Sequence, residues 1–227
     1  MNTKVKIVFK IKKLRVGVEK KKRAKERVIV YIDGFNLYFG MKEAGFTDLK
    51  WLDVMKLARS CLKPGQVLQE VKYFTSTITR DPVKAEKQKT YLDALAAKGA
   101  IIIRGKYQTK KVRCEKCAHF WLRTNEKMTD VNIATSLIMD TVTNRCDVAI
   151  LISGDSDLIP AILSVNKHLP PKKVTVIFPP FRHNRSVALA AKGSYELGRK
   201  RLKDCQMEDT VISTNGFALE KPEAWKR

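Results

Sequence analysis

Two carboxylates two positions apart, Asp155 and Asp157, follow a continuous apolar run at residues 148–152. Asp33 follows a similar apolar run at residues 28–32. Both runs have the length and composition of buried strands. Ligands of open α/β sheets collect outside the carboxyl ends of strands, and crowded carboxylates repel one another unless a cation lies between them. The pattern therefore predicts an acidic, metal-binding pocket.

Two further polar residues extend this predicted pocket. Asp130 opens a predicted helix, and helix N-termini can meet strand C-termini at one edge of such a sheet. Asn36 could add a neutral oxygen or orient a water. Capping of a helix or a turn is the alternative role of Thr129, Asp130 and Asp155. The predicted catalytic residues are Asp33, Asn36, Asp130, Asp155 and Asp157, and the four aspartates are the predicted metal ligands.

The chemistry of this set favours hydrolysis of nucleic acid. Converging carboxylates without a matching arginine suit Mg²⁺ or Mn²⁺, which prefer hard oxygen ligands. Such an ion can activate water and neutralise a phosphodiester, and two ions roughly 3.5–4 Å apart can clamp the attacking and leaving oxygens. The chain has 45 Lys and Arg against 23 Asp and Glu, a net charge of +22. This excess of basic residues favours a polyanionic partner, either nucleic acid or an anionic membrane surface.

Much of the positive charge lies at the N-terminus. Residues 1–27 hold twelve basic and two acidic residues, a net charge of +10, which leaves +12 for residues 28–227. A block of like charge predicts a solvated basic arm at 1–27; an added strand and an overextended translation start are the alternatives. We expect a nuclease domain at 28–200 and a C-terminal tail at 201–227, in which Trp225 docks onto an apolar surface.

The compartment is predicted from the apolar and cysteine content. No window reaches the roughly 18 apolar residues of a membrane span, and the N-terminus lacks the features of a secretory signal. The five cysteines are an odd set, which favours reduced thiols. The sequence therefore predicts a cytoplasmic protein without a membrane partner.

Apolar runs that alternate with amphipathic stretches predict an α/β fold with a doubly wound, mostly parallel central sheet. Asp81 and Pro82 form a helix-start signal, and Gly99 marks the end of that helix. The predicted strands are 28–32, 71–74, 100–103, 148–152 and 174–178. The predicted helices run from Asp81 to Lys98, from Thr129 to about Asn144, and from Asp157 to about Asn166.

Over about residues 27–200 the chain resembles the NYN domain family, PIN-like domains regarded as metal-dependent ribonucleases. The features that carry the resemblance are Tyr31-Ile32-Asp33-Gly34-Phe35-Asn36, the step from Lys127 to Asp130, and Ser153-Gly154-Asp155-Ser156-Asp157-Leu158. The resemblance implies a three-layer Rossmann-like fold, RNA as substrate, and Mg²⁺ or Mn²⁺ held by the four aspartates with Asn36 lining the site. Many family members carry another acid about six residues after the Asp130 position, where this chain has Ser136. The number of ions therefore stays open between one and two.

A cysteine pair interrupts the polar stretch before the Asp130 helix. Cys114 and Cys117 supply half of a structural Zn²⁺ site, and His119 could give a third ligand. They lie within a predicted insertion at about 106–125 that resembles a subset of NYN proteins. A four-cysteine site shared by two chains, which would make a homodimer, is one alternative. Unmetallated thiols and thioredoxin-like redox chemistry are the others.

Basic residues near this insertion and after the last predicted strand are candidate RNA contacts. Aromatic residues interleave with the first group, and cations beside aromatic faces suit single-stranded RNA. A solvated charged hairpin and a capping segment are the alternatives. The predicted nucleic-acid-binding residues are Lys106, Lys110, Lys111, Arg113, Arg182 and Arg185.

Two functions therefore compete on the sequence: a metal-dependent ribonuclease and a non-catalytic RNA-binding module with the same fold. The four aspartates favour the enzyme, because binding alone gains little from acids that face a polyanion. A phosphatase of the haloacid dehalogenase type needs a second Asp where Phe35 stands. A primase-type domain normally has Glu where this chain has Asp33.

Overall fold

Six parallel strands form the centre of the molecule, in the order β3-β2-β1-β6-β7-β8. The computed structural model describes residues 25–78, 81–113, 115–117 and 119–226, without the side chains of 107–110 and 122–126. In chain order the elements are β1 (Glu26–Asp33), α1 (Gly34–Glu43), a 3-10 helix (Thr47–Leu49), α2 (Val54–Ser60), β2 (Gln66–Thr75), α3 (Pro82–Ala97), β3 (Ile101–Arg104), β4 (Lys106–Arg113), β5 (Phe120–Lys127), α4 (Thr129–Val142), β6 (Val148–Ile152), a 3-10 helix (Ser156–Leu158), α5 (Ile159–His168), β7 (Lys173–Phe178), α6 (Arg185–Ala190), β8 (Ser194–Glu196), α7 (Arg199–Asp204), β9 (Thr210–Ile212), β10 (Ala218–Glu220) and a 3-10 helix (Glu223–Trp225).

The alternation of side chains along β1 divides the apolar core into two layers. Val28, Val30 and Ile32 belong to one buried cluster, which also contains residues of α1, α2, α3 and α7. Ile29 and Tyr31 belong to the other cluster, with residues of α4, α5 and α6. Because successive strand residues point to opposite faces, a central strand must be apolar at every position. The predicted α/β fold with helices on both faces is confirmed.

The direction of the chain connections reverses at the middle of the sheet. From β1 the chain adds β2 and β3 on one side, and it later adds β6, β7 and β8 on the other. The carboxyl ends of β1 and β6 therefore flank a topological switch point, where open α/β sheets form ligand-binding crevices. The sequence predicts the acidic pocket at this same edge of the sheet.

The five predicted strands correspond to β1, β2, β3, β6 and β7, and each of the three predicted helices is present. Asp81 caps α3, with its Oδ1 accepting a hydrogen bond from the backbone N–H of Lys84 at 3.0 Å. The third helix starts later than predicted, because a 3-10 turn at Ser156–Leu158 precedes α5. β8 and the antiparallel pair β9–β10 were not predicted.

The C-terminal region packs against the core layer that contains Val28, Val30 and Ile32. The ring of Trp225 lies 6.2 Å from that of Trp51 and 6.0 Å from that of Tyr91, measured between centroids. The predicted docking of Trp225 is confirmed, and Leu202 and Val211 are buried in the same cluster. Within the described ranges, none of the helices combines the length and the apolar character needed to span a membrane.

Candidate metal site

Three aspartates converge at the switch point. Asp33 ends β1, Asp155 follows β6, and Asp130 lies in the first turn of α4. One carboxylate oxygen of each lies within 4.8 Å of the others. They line a cavity of about 190 Å³ together with Thr129 and several residues of other elements. The structure therefore brings three of the four predicted ligands together.

The spacing of the three oxygens suits one small divalent cation. An octahedral Mg²⁺ with metal–oxygen bonds of about 2.1 Å places its ligand oxygens about 3 Å apart when adjacent and about 4.2 Å apart when opposite. Oxygens within 4.8 Å of one another can reach such an ion after small side-chain adjustments. Carboxylates are also the ligand type that Mg²⁺ and Mn²⁺ prefer. The residues present therefore fit the ion that the sequence predicted.

Asp33 is held by two hydrogen bonds and is buried. Its Oδ1 accepts from the backbone N–H of Asn36 at 3.0 Å, which caps α1, and its Oδ2 accepts from the Ser153 hydroxyl at 2.9 Å. Burial raises the pKa of Asp33 to about 6. The two hydrogen bonds lower that pKa, and the charges of Asp130 and Asp155 raise it further. The site therefore disfavours three negative charges unless a cation neutralises them.

Asp155 serves a turn and the acidic cluster at the same time. Its Oδ1 accepts from the backbone N–H of Asp157 at 2.9 Å, and its own backbone N–H donates to the Ser153 hydroxyl at 3.1 Å. Ser153 is fully buried and links Asp155 to Asp33. A carboxylate offers about four lone-pair sites, so capping the turn leaves Asp155 able to bind a cation.

Asn36 joins the two strand ends. Its Oδ1 accepts a hydrogen bond from the backbone N–H of Gly154 at 2.9 Å. The amide oxygen that could have faced the ion therefore holds the loop that carries Asp155. Asn36 lines the acidic cavity, so the structure places it beside the site as predicted. Its side chain positions the loop that carries Asp155.

Asp157 lies at a different place from the other three acids. Among the described residues the cluster comprises Asp33, Asp130 and Asp155, and Asp157 is an exposed residue of the 3-10 helix after the loop. Its backbone N–H, rather than its carboxylate, is what contacts Asp155. The predicted role of Asp157 as a ligand stays a prediction.

Asp140 does not take the place of the extra acid that many family members carry at the position of Ser136. Asp140 lies ten residues beyond Asp130 on α4, about 15 Å along the helix axis at 1.5 Å per residue. Its buried carboxylate accepts from the Tyr31 hydroxyl at 2.8 Å and is paired with Lys72 and Arg145. These contacts give Asp140 a place in an internal ion-pair network away from the cluster.

Arg182, one of the predicted RNA contacts, lies beside the acids. It lines the acidic cavity and pairs with Glu43 of α1. Its backbone carbonyl packs so tightly against Gly154 that a Cβ atom there would lie 1.9 Å from the oxygen. Arg185 is exposed at the start of α6, which the side chain of Asn184 caps.

The other predicted RNA contacts lie on the β4–β5 hairpin between β3 and α4. Lys106, Lys111 and Arg113 are exposed, and the side chain of Lys110 lies outside the described residues. Lys111 Nζ lies over the ring of Phe120, 4.5 Å from its centroid, and the guanidinium carbon of Arg113 lies 5.7 Å from the same centroid. Phe120 and Trp121 are both exposed, so this hairpin presents aromatic faces with cations to solvent.

One of the two predicted zinc ligands, Cys117, lies at the tip of the same hairpin. Cys117 is exposed and is a free thiol, whereas Cys114 lies outside the described residues. Cys146 and Cys205 are buried in separate core layers, so neither can complete a site at this tip. Zinc binding by Cys114 and Cys117 stays a prediction.

The family follows from a match along most of the chain. The model of the NYN domain matches residues 27–196. This chain belongs to the NYN domain family. The match begins in β1 and ends in β8, so the NYN domain covers the whole parallel sheet with all three clustered aspartates.

Two individual proteins are also similar to this NYN domain protein. The 6-hydroxy-3-succinoylpyridine 3-monooxygenase HspA of Pseudomonas putida is 25% identical over 240 residues, which cover 88% of this chain and 75% of that protein. A crystal structure of a protein of unknown function from Vibrio parahaemolyticus matches with a TM-score of 0.53 and 19% identity. That match covers 79% of this chain and 97% of the other, and it supports the fold alone.

Sequence reasoning missed three contributors to this NYN site. Ser153 bridges two aspartates, and Phe35 and Phe39 form an apolar wall of the acidic cavity. The spacing of Phe35 and Phe39, one helical turn apart directly after a strand-end aspartate, was the available signal. For Ser153, the signal was a hydroxyl residue that directly precedes a Gly-Asp turn.

Proposed function

We propose that this NYN domain protein is a metal-dependent ribonuclease that hydrolyses RNA phosphodiester bonds, with Asp33, Asp130 and Asp155 as the ligands of Mg²⁺ or Mn²⁺. The observation that carries the proposal is the convergence of their oxygens within 4.8 Å at the switch point of the sheet. The family match supports RNA as the substrate.

Each residue of the cluster has a role that follows from its contacts. When bound, the divalent ion would neutralise phosphate charge and activate water. Asp33 is fixed by Asn36 and Ser153, and Asp155 by its turn. Both side chains are therefore oriented before the ion arrives, which lowers the entropic cost of binding. Arg182 adds a positive charge at the cavity for the phosphate backbone.

The exposed cations of the β4–β5 hairpin support a path for the rest of the RNA. Lys106, Lys111 and Arg113 would contact phosphates, while the exposed rings of Phe120 and Trp121 offer surfaces for unpaired bases. Lys110 and Arg185 belong to the same proposed set. RNA bound along this surface would lead to the acidic cavity from the side of α4.

Cleavage of labelled single-stranded RNA during a Mn²⁺ titration tests the proposal. Asp155→Asn should reduce cleavage to background while circular dichroism shows an intact fold. Asp157→Asn is the matched comparison, two positions along the same loop. If the predicted role of Asp157 as a ligand holds, both variants lose cleavage equally. Because Asp157 is exposed and the cluster comprises Asp33, Asp130 and Asp155, we expect a smaller loss for Asp157→Asn. Protein that binds RNA and never cuts it with Mn²⁺ present would instead be a non-catalytic RNA-binding module.

A structural Zn²⁺ on Cys114 and Cys117 is a separate proposal. It predicts zinc in the purified protein at a defined stoichiometry, lost in Cys114→Ser. One ion per two chains, together with a dimeric mass in solution, would indicate a four-cysteine site shared by a homodimer. Zinc-free wild-type protein would contradict the proposal.

The similarity to the Pseudomonas putida monooxygenase favours a second candidate, hydroxylation of a heteroaromatic compound. The match extends over 88% of this chain, so it includes all three clustered aspartates. A monooxygenase uses O₂ and a two-electron reductant. The test therefore incubates the protein in air with 6-hydroxy-3-succinoylpyridine, the compound in the name of that relative, together with a reduced nicotinamide and a flavin. Product that depends on Asp155, without RNA cleavage, would establish this candidate over the ribonuclease.

A further inference from the structure

We infer that a second cavity, next to the acidic cluster, holds an unpaired base of the RNA beside the phosphodiester that is cut. The cavity has a volume of about 480 Å³ and lies between α1, α3 and the C-terminal 3-10 helix. Phe35 and Phe39 line both this cavity and the acidic one. The inference rests on the proposed ribonuclease function, because it places the base relative to the aspartates.

The wall of the second cavity is aromatic. Tyr38 and Phe39 are 37% and 42% exposed, and their rings make an edge contact at 5.3 Å. Deeper in the cavity, the rings of Tyr73 and Trp225 each contact Tyr91 edge-on, at 6.2 and 6.0 Å. Exposed aromatic rings on a helix, above a floor of buried and partly buried rings, form a surface on which a flat heterocycle can stack.

The charges around the cavity complement a nucleic acid. Four lysines line it, and none of the described residues that line it carries a carboxylate. Lys50 Nζ lies 5.9 Å from the centroid of the Tyr38 ring. Cations beside stacking platforms are the combination that binds single-stranded nucleic acid, with the cations on the phosphates and the rings on the bases. The four lysines are Lys42, Lys50, Lys84 and Lys87.

Two polar side chains of the cavity, those of Gln88 and Tyr91, are already engaged in hydrogen bonds, which predicts weak base selectivity. Gln88 donates to the carbonyl oxygen of Ser76 at 2.9 Å and accepts from the backbone N–H of Ile78 at 2.8 Å. The Tyr91 hydroxyl donates to the carbonyl oxygen of Leu52 at 3.0 Å. Because these groups would have to break bonds to read a base edge, stacking dominates and each of the four bases is accepted.

The shared residues set the geometry relative to the aspartates. Asp33 ends β1, Gly34 begins α1 and lines the second cavity, and Phe35 lies between the two cavities. A base in the second cavity would place its own phosphate next to this boundary. The base would therefore hold the scissile phosphate at the acidic cluster, and substrate binding would require an unpaired nucleotide there.

Binding of short RNA without cleavage tests the inference. A fluorescently labelled single-stranded oligonucleotide is titrated in EDTA, and its anisotropy is compared with that of versions that carry one abasic nucleotide at each position in turn. Stacking is worth about 1–3 kcal/mol per base, so removal of the base that occupies the cavity should weaken binding about 5- to 150-fold. Tyr38→Ala should abolish that loss. Phe217→Ala is the matched control, since it removes an exposed aromatic ring that does not line the cavity.

The outcomes separate this inference from the proposed function. Cleavage with Mn²⁺ but equal binding of intact and abasic oligonucleotides would overturn the inference and leave the ribonuclease intact. A base preference removed by Tyr38→Ala, without cleavage, would support the cavity and contradict the enzyme. Binding of a free hydroxypyridine, without any preference for RNA that carries its bases, would overturn the inference in favour of a small-molecule pocket.

Discussion

Asn36 of α1 accepts a hydrogen bond from the backbone N–H of Gly154, at 2.9 Å, across the gap between the ends of β1 and β6. The same Asn36 donates its own backbone N–H to Asp33 at 3.0 Å. One residue thus fixes the side chain of the first aspartate and the loop of the third. Residues that orient ligands in this way affect metal affinity without touching the ion.

Asn36→Ala keeps the backbone N–H that holds Asp33 and removes the bond that holds the loop of Asp155. It should therefore weaken Mn²⁺ binding by about 10- to 100-fold, with a loss of unfolding free energy of about 1 kcal/mol. Titration calorimetry with Mn²⁺ measures the first effect and urea denaturation the second. Asn166→Ala is the matched control, because Asn166 Oδ1 also accepts a backbone N–H at 2.9 Å, from Val174, far from the acids. Equal Mn²⁺ affinity in Asn36→Ala and the wild type would contradict a positioning role.

Gly154→Ala should displace the loop that carries Asp155. A Cβ atom at residue 154 would lie 1.9 Å from the carbonyl oxygen of Arg182, so the backbone must move, at a cost of about 1–3 kcal/mol. RNA cleavage should fall together with Mn²⁺ affinity. Gly193→Ala, where a Cβ meets nothing within 4 Å, should keep both. Full cleavage by Gly154→Ala would show that the loop tolerates displacement.

The sequence predicted the fold best where a residue pattern has a single physical explanation. The apolar runs of β1 and β6 identified the buried strands, because a central parallel strand must be apolar on both faces. Asp81 and Pro82 identified the start of α3 because few other elements begin in that way. These signals are local, and the fold follows from them.

The relation among the acids was less accessible, because it depends on loop geometry. Asp155 and Asp157 are equivalent by residue type, yet the 3-10 turn at Ser156–Leu158 turns one toward the cluster and exposes the other. The helix start at Thr129 was predicted, but its N-cap is Met128 in the left-handed region, at φ 79°, without a side-chain capping bond. Long-range contacts such as Asn36 to Gly154 join residues 118 positions apart and leave no local pattern.

Asp140→Ala should destabilise the fold strongly without acting on the metal site. The buried carboxylate is paired with Lys72, which is also buried, and accepts from Arg145 at 2.7 Å. Removal of the Asp140 carboxylate leaves the buried Lys72 with only its longer contact to Glu70, at 3.7 Å, which costs about 3–5 kcal/mol. Lys72→Met with Asp140→Leu should cost less than the sum of the single changes. Asp93→Ala, which breaks the exposed pair with Lys89, should cost less than about 1 kcal/mol; a similar cost for both pairs would contradict the network.

The raised pKa of Asp33 predicts an unusual pH dependence of the metal-free protein. Its pKa is about 6 in the fold because of burial, and about 3.9 in the unfolded chain. Between these values the folded state binds the extra proton, so the contribution of Asp33 to stability is fully present below about pH 4. It is lost as the pH rises through about 6. Two pH units correspond to a loss of about 3 kcal/mol.

Urea denaturation in EDTA at a series of pH values, for the wild type and Asp33→Asn, isolates this contribution as a difference between the two proteins. The difference should favour the wild type most near pH 4 and shrink by pH 7, because the amide does not titrate. Asp147→Asn supplies the opposite sign, since the hydrogen bond from Arg27 lowers the pKa of Asp147 and its stabilisation is lost at low pH. Mn²⁺ affinity of the wild type should fall below about pH 6, because the proton on Asp33 must leave before the ion binds. A pH-independent difference between wild type and Asp33→Asn would mean that the pKa of Asp33 is the same in the folded and unfolded states, and would contradict the raised pKa.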